Sequence, residues 1–242
     1  MTSLLNKLSD RIYYLPFMED TDRPNLGYIR GDRYSLMVDA GNSDQHAKLF
    51  LSQLEALDLP YPDYVAITHW HWDHTFGIHA VNAKSIAGKS TNAQLAKVAE
   101  WKWDDPAMRA RLQSGEEIEF CDKHIRIEYP NPEDIIVKTA DIVFDQKLNI
   151  DLGGITCELF PIINPHSEDT VVIYIPEEKI LFLGDASGGD HYHNQGRYDK
   201  GRLLNFIDFI NKTDFTTCVE GHDHAISKEQ LLIYMQEELD KL

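Results

Sequence analysis

The hexapeptide His69-Trp70-His71-Trp72-Asp73-His74 constrains this chain more than any other stretch. It follows directly on residues 64–68, an apolar, β-branched run that reads as a buried strand. Successive side chains on a strand point to opposite faces, so His69 and His71, two residues apart, can face the same side and pinch one cation. Asp73 and His74 are adjacent, and an extended chain would send them opposite ways. Both reach a second cation only if the backbone turns there, as at a strand-to-helix corner. Imidazoles and carboxylates in combination suit a borderline divalent ion: zinc is the first choice, with iron or manganese also compatible.

Around this peptide, short β-branched or aromatic runs alternate with helical patterns from end to end. Strands are expected over residues 11–16, 26–30, 34–39, 64–68, 84–87, 125–129, 147–151, 155–160, 170–175, 180–183 and 216–220. One helix is expected over 44–58, with Ala47, Leu51, Leu54 and Leu57 on one stripe. A second covers 201–212 and carries Leu203, Phe206, Ile207 and Ile210. A third opens at the capping box Ser227-Lys-Glu-Gln230 and turns Leu231, Met235 and Leu239 inward. In the middle, a helix over 92–103 is broken by Asp105-Pro106, which opens another, and Tyr129-Pro-Asn-Pro132 reads as a turn. No repeat or linker divides the chain, so residues 1–242 are expected to form one α/β domain of sheets covered by helices.

Charge narrows the partners. Forty acidic against 23 basic side chains give a net charge of −17, a field that repels polyphosphate backbones and anionic bilayers. Nucleic-acid and membrane binding are thereby disfavoured, and a small-molecule substrate is expected for either a monomer or a homodimer. Cys121, Cys157 and Cys218 are odd in number and form no CxxC pair, which reads as reduced core thiols. The first residues lack a signal-peptide pattern, and no apolar run approaches the roughly 20 residues of a membrane span. A cytoplasmic location is the expectation.

With its HxHxDH peptide followed by further single ligand candidates, the chain resembles the metallo-β-lactamase superfamily over nearly its whole length. That family's pattern continues with a lone His, a lone Asp at a strand end and a final His. These match His166 in Asn-Pro-His-Ser, Asp185 in Leu-Phe-Leu-Gly-Asp, and His222 in Glu-Gly-His. The stretch from Asn25 to Gly41 looks like the family's opening hairpin. The resemblance implies a four-layer αββα sandwich with metals at one edge between the sheets. It further implies that His69, His71 and His166 bind a first metal, that Asp73, His74 and His222 bind a second, and that Asp185 bridges both. His222 is preferred to His224 because it follows Gly221, as in the family pattern.

The activity implied is hydrolysis of an ester, thioester, lactone or amide by a hydroxide held between the two ions. Asp73, both ligand and hydrogen-bond acceptor for the nucleophile, is the expected rate-critical side chain. Many β-lactam-hydrolysing members carry Cys where Asp185 stands, so the superfamily's name is not the expected activity. An alternative on the same scaffold is a mono-iron oxidoreductase of the persulfide dioxygenase type, in which His71 need not bind. Weaker candidates for substrate contact are Trp72 beside the ligands, His193, and the basic residues Arg197 and Arg202. His191 lies near His193 in the same loop. His46, His79 and His124 match no part of the pattern and read as structural.

Overall fold

Two sheets, each with helices on its outer face, account for residues 4–242, the part of the chain that the computed structural model describes. The first sheet comprises β1 (Asn6–Lys7), β2 (Ile12–Leu15), β3 (Leu26–Arg30), β4 (Ser35–Val38), β5 (Tyr64–Ala66), β6 (Lys84–Gly88) and β7 (Ile142–Phe144), in that spatial order. Pairing is antiparallel from β1 to β4 and parallel from β4 to β7. The second sheet runs β13-β12-β11-β10-β9-β8. Its strands are β8 (Leu148–Asp151), β9 (Thr156–Pro161), β10 (Val171–Ile175), β11 (Ile180–Gly184), β12 (Thr217–Glu220) and β13 (Ile226–Ser227). Only β11 and β12 are parallel there.

The central strands are apolar on both faces because both faces are covered. Along β4, Leu36 and Val38 point into the space between the sheets and Met37 points away. Along β11, Ile180 and Phe182 point inward while Leu181 and Leu183 point out. Side chains of both sheets meet in one inner cluster that includes Ile29, Val38, Ile86, Leu159, Ile173 and Phe182. The sheets approach so closely at Gly27 that a Cβ there would lie 2.5 Å from the Phe182 ring.

Helices complete the outer layers. α1 (Asp44–Ala56) is N-capped by Ser43 and buries Ala47, Phe50 and Leu54 against the first sheet; after the short α2 (Trp72–Thr75), α3 (Lys89–Val98) adds Leu95. α4 (Asp105–Ser114) and α5 (Glu119–Glu128) form a separate pair around Trp72, Phe76 and Trp103. Beyond the short α6 (His191–Asn194), α7 (Lys200–Lys212) and α8 (Lys228–Asp240) cover the second sheet with Leu203, Phe206, Ile210, Leu231 and Met235. The capping box at Ser227 and Gln230 is formed. The layers are therefore α, β, β, α, and the three cysteines are buried and free. Among the described residues no helix is long and apolar enough to cross a membrane.

Two expectations differ from what is found. Residues 125–129 belong to a helix, α5, not a strand. Ile118, Cys121 and Ile125 share a helical face packed on the Trp72–Trp103 cluster, and the Ile125-Arg-Ile127 alternation that mimics a strand leaves Ile127 exposed. The helix expected over 92–103 starts earlier, at Lys89, and stops at Val98. Trp101 and Trp103 instead clasp the Arg111 guanidinium, 4.5 and 4.7 Å from their ring centroids, an aromatic–cation stack that the extended chain supplies better than a helix.

One buried ion pair ties the α4–α5 unit to the sandwich. Glu128, near the end of α5, takes two hydrogen bonds from the Arg23 guanidinium, at 2.7 and 3.2 Å, and a third from the Ser43 hydroxyl. Its side chain is 3 % exposed. Glu128→Ala strands the Arg23 charge and should cost on the order of 3 kcal/mol. Arg109→Ala removes an exposed pair with Asp105 and should cost under about 1 kcal/mol. Urea denaturation of both variants checks the contrast, and equal losses would refute it.

Candidate metal centre

The chain ends β5 at Ala66 and then does what the spacing of the hexapeptide requires: it turns. Thr68 donates through its N–H to Asp39 Oδ1 at 2.7 Å, and α2 opens at Trp72, which puts Asp73 and His74 on the first turn of a helix. His166 comes from the loop between β9 and β10, Asp185 directly follows β11, and His222 follows β12. The ends of β5, β11 and β12 and the start of β10 lie at one edge of the sandwich; the Val171 N–H joins the two sheets there by donating to Thr68 O at 2.7 Å.

These seven side chains form two overlapping groups. One atom each from His69, His71, His166 and Asp185 lie within 4.8 Å of one another, and so do atoms of Asp73, His74, Asp185 and His222. Asp185 is common to both. Its Oδ2 lies 3.9 Å from His69 Nε2, 3.7 Å from His166 Nε2 and 3.6 Å from His222 Nε2, while Oδ1 lies 3.3 Å from His74 Nε2. Asp73 Oδ2 lies 3.1 Å from His74 Nε2 and 2.9 Å from His222 Nε2.

Polar partners behind the cluster fix the rings. The His74 Nδ1–H donates to Asp39 Oδ2 at 2.7 Å, and Asp39 also receives the Thr68 hydroxyl. The His166 Nδ1–H donates to Gly189 O at 3.0 Å, which leaves Nε2 as a lone pair facing inward. Gly221, just before His222, has no room for a side chain: a Cβ would overlap Asp185 Oδ1 and sit 3.0 Å from the His74 ring.

Electrostatics sort the donors. Burial and neighbouring imidazoles hold His69 and His71 well below the usual imidazole range, and burial lowers His166 too, so all three are neutral. Burial opposes ionisation of Asp73 and Asp185, but the imidazoles of His74 and His222 outweigh it and keep both carboxyls ionised. Burial likewise opposes charge on His222, yet Asp185 and Asp73 raise it to about 9. Asp73 and Asp185 thus draw positive charge to the centre, raising His74 as well as His222, and in a metal-loaded cluster the cation would meet that demand in place of the protons.

Divalent cations fit that demand. His69 Nε2, His74 Nε2 and Asp185 Oδ1 are buried and make no hydrogen bond of acceptable geometry. Stranding a buried polar atom costs about 1–3 kcal/mol, and three of them converging on one space is the pattern of a coordination site lined by N and O donors.

The other sequence candidates lie elsewhere. Trp72 is 2 % exposed and packs on Phe76, so it meets no substrate; it was expected near one because it interleaves the ligands, but α2 turns it into the α4–α5 cluster. Trp70 packs on His71 and Tyr192, each at 4.9 Å between ring centroids. Arg202 is consumed by the scaffold, donating to Asn164 O at 2.7 Å and to Asp190. Arg197 donates to Gln195 and lines a separate depression beside Tyr198 and Lys241. The His193 ring is exposed, beside Asp190 and away from the cleft, whereas His191 does line it. The His224 ring lies against Phe17 instead of joining the ligand groups. His46 is buried, and His79 bonds Phe76 O. His124 bonds Phe120 O yet also lines the cleft, a placement beyond the structural role expected of it.

Three residues with roles here were passed over in the sequence. Asp39 orients His74. Asn25 donates to Glu220 O and Asp223 O, both at 2.6 Å, and fastens the His222 turn to the loop before β3. Tyr192 of α6, half-buried beside His71, donates to Glu117 at 2.9 Å and links α6 to the turn before α5. Asp39 had a signal, a lone carboxylate at a strand end before Ala-Gly. The other two had none, because their partners are distant in sequence.

Comparison with known proteins agrees with this geometry. The family model of the metallo-beta-lactamase superfamily matches residues 20–241. An acyl-coenzyme A thioesterase, MBLAC2 of Gallus gallus, is 22% identical over 213 residues, which cover 84% of this chain and 68% of that protein. Among solved structures, a metallo-beta-lactamase from Pontibacter korlensis superposes with a TM-score of 0.68 at 17% identity, covering 100% of both chains. The sec-alkylsulfatase Pisa1 from Pseudomonas sp. gives 0.67 at 15% identity, covering 98% of this chain and 41% of that one. With an HxHxDH peptide at the edge of an αββα sandwich and a family match over most of its length, this chain belongs to the metallo-β-lactamase superfamily.

Proposed function

We propose that the chain is a metal-dependent hydrolase of a small molecule, cleaving an ester, thioester, lactone or amide. The observation that carries this reading is an open cleft of about 830 Å³, large enough for a small substrate, that is lined by His71, Asp73, His166, Asp185 and His222, with the buried, unpaired Nε2 atoms of His69 and His74 in the same donor groups. In this reading His69, His71 and His166 hold one divalent cation, Asp73, His74 and His222 hold a second, and Asp185 serves both. Zinc is the expected ion for this donor set. When bound, such a pair supplies Lewis acidity and hydroxide near neutral pH. Two complete donor groups favour this over the mono-iron oxidoreductase alternative.

The chain's own residues supply order and proton transfer. Asp73 lines the cleft, and in this reading its carboxylate accepts a hydrogen bond from the attacking water and aims it at the substrate carbonyl. Water adds to the acyl carbon and gives one proton to the Asp73 carboxylate, the bond to the leaving group breaks, and that proton passes from Asp73 to the departing atom. Asp39 and Gly189 O hold His74 and His166 in their productive orientations. The thioesterase named among the relatives supports including thioesters among the substrates tested.

Elemental analysis of protein purified without added metal or chelator should find about two zinc ions per chain; a single iron would overturn the dinuclear reading. Asp73→Ala should lower kcat by at least about 10²-fold on whichever ester or thioester the protein cleaves. Near-normal turnover at full metal loading would remove Asp73 from its role. Gly221→Ala should displace Asp185 and weaken metal retention while the far-UV circular dichroism stays unchanged. Dialysis against a competing chelator reads that loss directly, and retention equal to the parent protein's would contradict it.

A further inference from the structure

The cleft above the donor cluster has two unlike surfaces, and the metal chemistry uses neither. One wall is apolar. Phe17 reaches it from the loop before β3, and Ile118 and Phe120 reach it from the start of α5. Phe120 is 54% exposed, so a large aromatic surface faces solvent beside the site. Covering apolar surface is favourable, and a substrate's apolar arm laid along this wall would gain from it.

The mouth is acidic. Glu19 and Asp223 are exposed there, and Asp22 and Glu220 lie deeper. Lys123 is the single lysine or arginine among the described lining residues. The reacting carbonyl must sit on the floor, near the donors, so the far end of a leaving group extends to the mouth. It meets Glu19 and Asp223 there, within the long-range field of a chain of net charge −17.

Resting on the hydrolase reading above, we propose that the cleft selects acyl compounds with an apolar acyl group and an uncharged or cationic leaving group, and discriminates against polyanionic leaving groups such as nucleotide thiols. Glu19 and Asp223 set the charge preference; Phe17, Ile118 and Phe120 set the preference for the acyl arm.

Three butanoyl thioesters test it on the full-length, zinc-loaded protein: those of N-acetylcysteamine (neutral), thiocholine (cationic) and coenzyme A (polyanionic). The first two should exceed the third in kcat/KM by about tenfold or more at low ionic strength, with the gap narrowing as salt rises. In Glu19→Lys the coenzyme A ester should gain on the neutral one. Phe120→Ser should lower the preference for butanoyl over acetyl in the neutral series. Calorimetric binding of the matching S-butyl thioethers, which cannot be hydrolysed, should follow the same charge order independently of turnover. A coenzyme A thioether that binds as tightly as the neutral one overturns the proposal and leaves the hydrolase reading intact. Absence of any turnover, with the thioethers ranked as expected, overturns the hydrolase reading and leaves the selection standing. An unchanged acyl preference in Phe120→Ser removes the apolar wall from the proposal.

Discussion

The hydrogen-bonded knot between Asp39 and Thr68 is the point on which the site depends. Asp39 leaves β4 in a left-handed conformation, φ 58°, which Asp tolerates better than most residues. From there one carboxylate receives the Thr68 N–H, the Thr68 hydroxyl and the His74 ring. The Thr68 carbonyl in turn accepts from Val171 of the opposite sheet. One buried acid thus closes the end of β5, orients a ring of the donor cluster and lies next to the seam between the sheets. All of its partners are side chains or backbone groups that would otherwise be stranded in the interior.

The rest of the sandwich can be understood as the means of keeping that edge dry behind and open in front. Apolar runs on both faces of β4, β10 and β11 bury these strands almost entirely, Tyr174 of β10 being partly exposed, and their loops share one rim. Charged and polar groups cluster where the strands stop, because the backbone leaves the apolar layer there. Low local dielectric makes unpaired charges costly, so Asp73 and Asp185 are surrounded by imidazoles and Asp39 by donors. A cluster so tightly opposed has few arrangements open to it, which is the kind of preorganisation a reaction centre needs.

Much of this was legible in the sequence because it is local. Short β-branched or aromatic runs located ten of the thirteen described strands, missing β1, β7 and β13, and stripes at helical spacing located α1, α7 and α8. The hexapeptide and its three later companions are drawn together in the structure, and their residue types alone carry the donor chemistry. The failures have a common cause, which is that tertiary packing overrode a local pattern. Ile125-Arg-Ile127 alternates like a strand, but Trp72, Phe76 and Trp103 reward the helical face instead. Trp72 stands among ligand candidates but is buried by the turn that brings Asp73 and His74 round. Arg197 and Arg202 carry the right charge for an anion site, yet Asn164 O and Asp190 already claim Arg202. Asn25 and Tyr192 act across long stretches of chain, and no spacing rule reaches that far.

The α4–α5 pair has a wider consequence. Every donor of the candidate metal site belongs to the sandwich rim, whereas Ile118, Phe120, Lys123 and His124 of the cleft come from the α4–α5 unit. That unit is fastened by the Arg23–Glu128 pair, by its packing on Trp72 and Phe76, and by the Tyr192–Glu117 bond beside His71. The Ile118 and Phe120 side of the cleft is therefore encoded apart from every donor, whereas Phe17, Glu19 and Asp223 sit on segments of the sandwich rim, Asp223 directly after His222. On the selection proposed above, drift in residues 104–128 would retune the apolar wall without touching the donor set, one way for a scaffold to diversify its substrates while keeping its reaction.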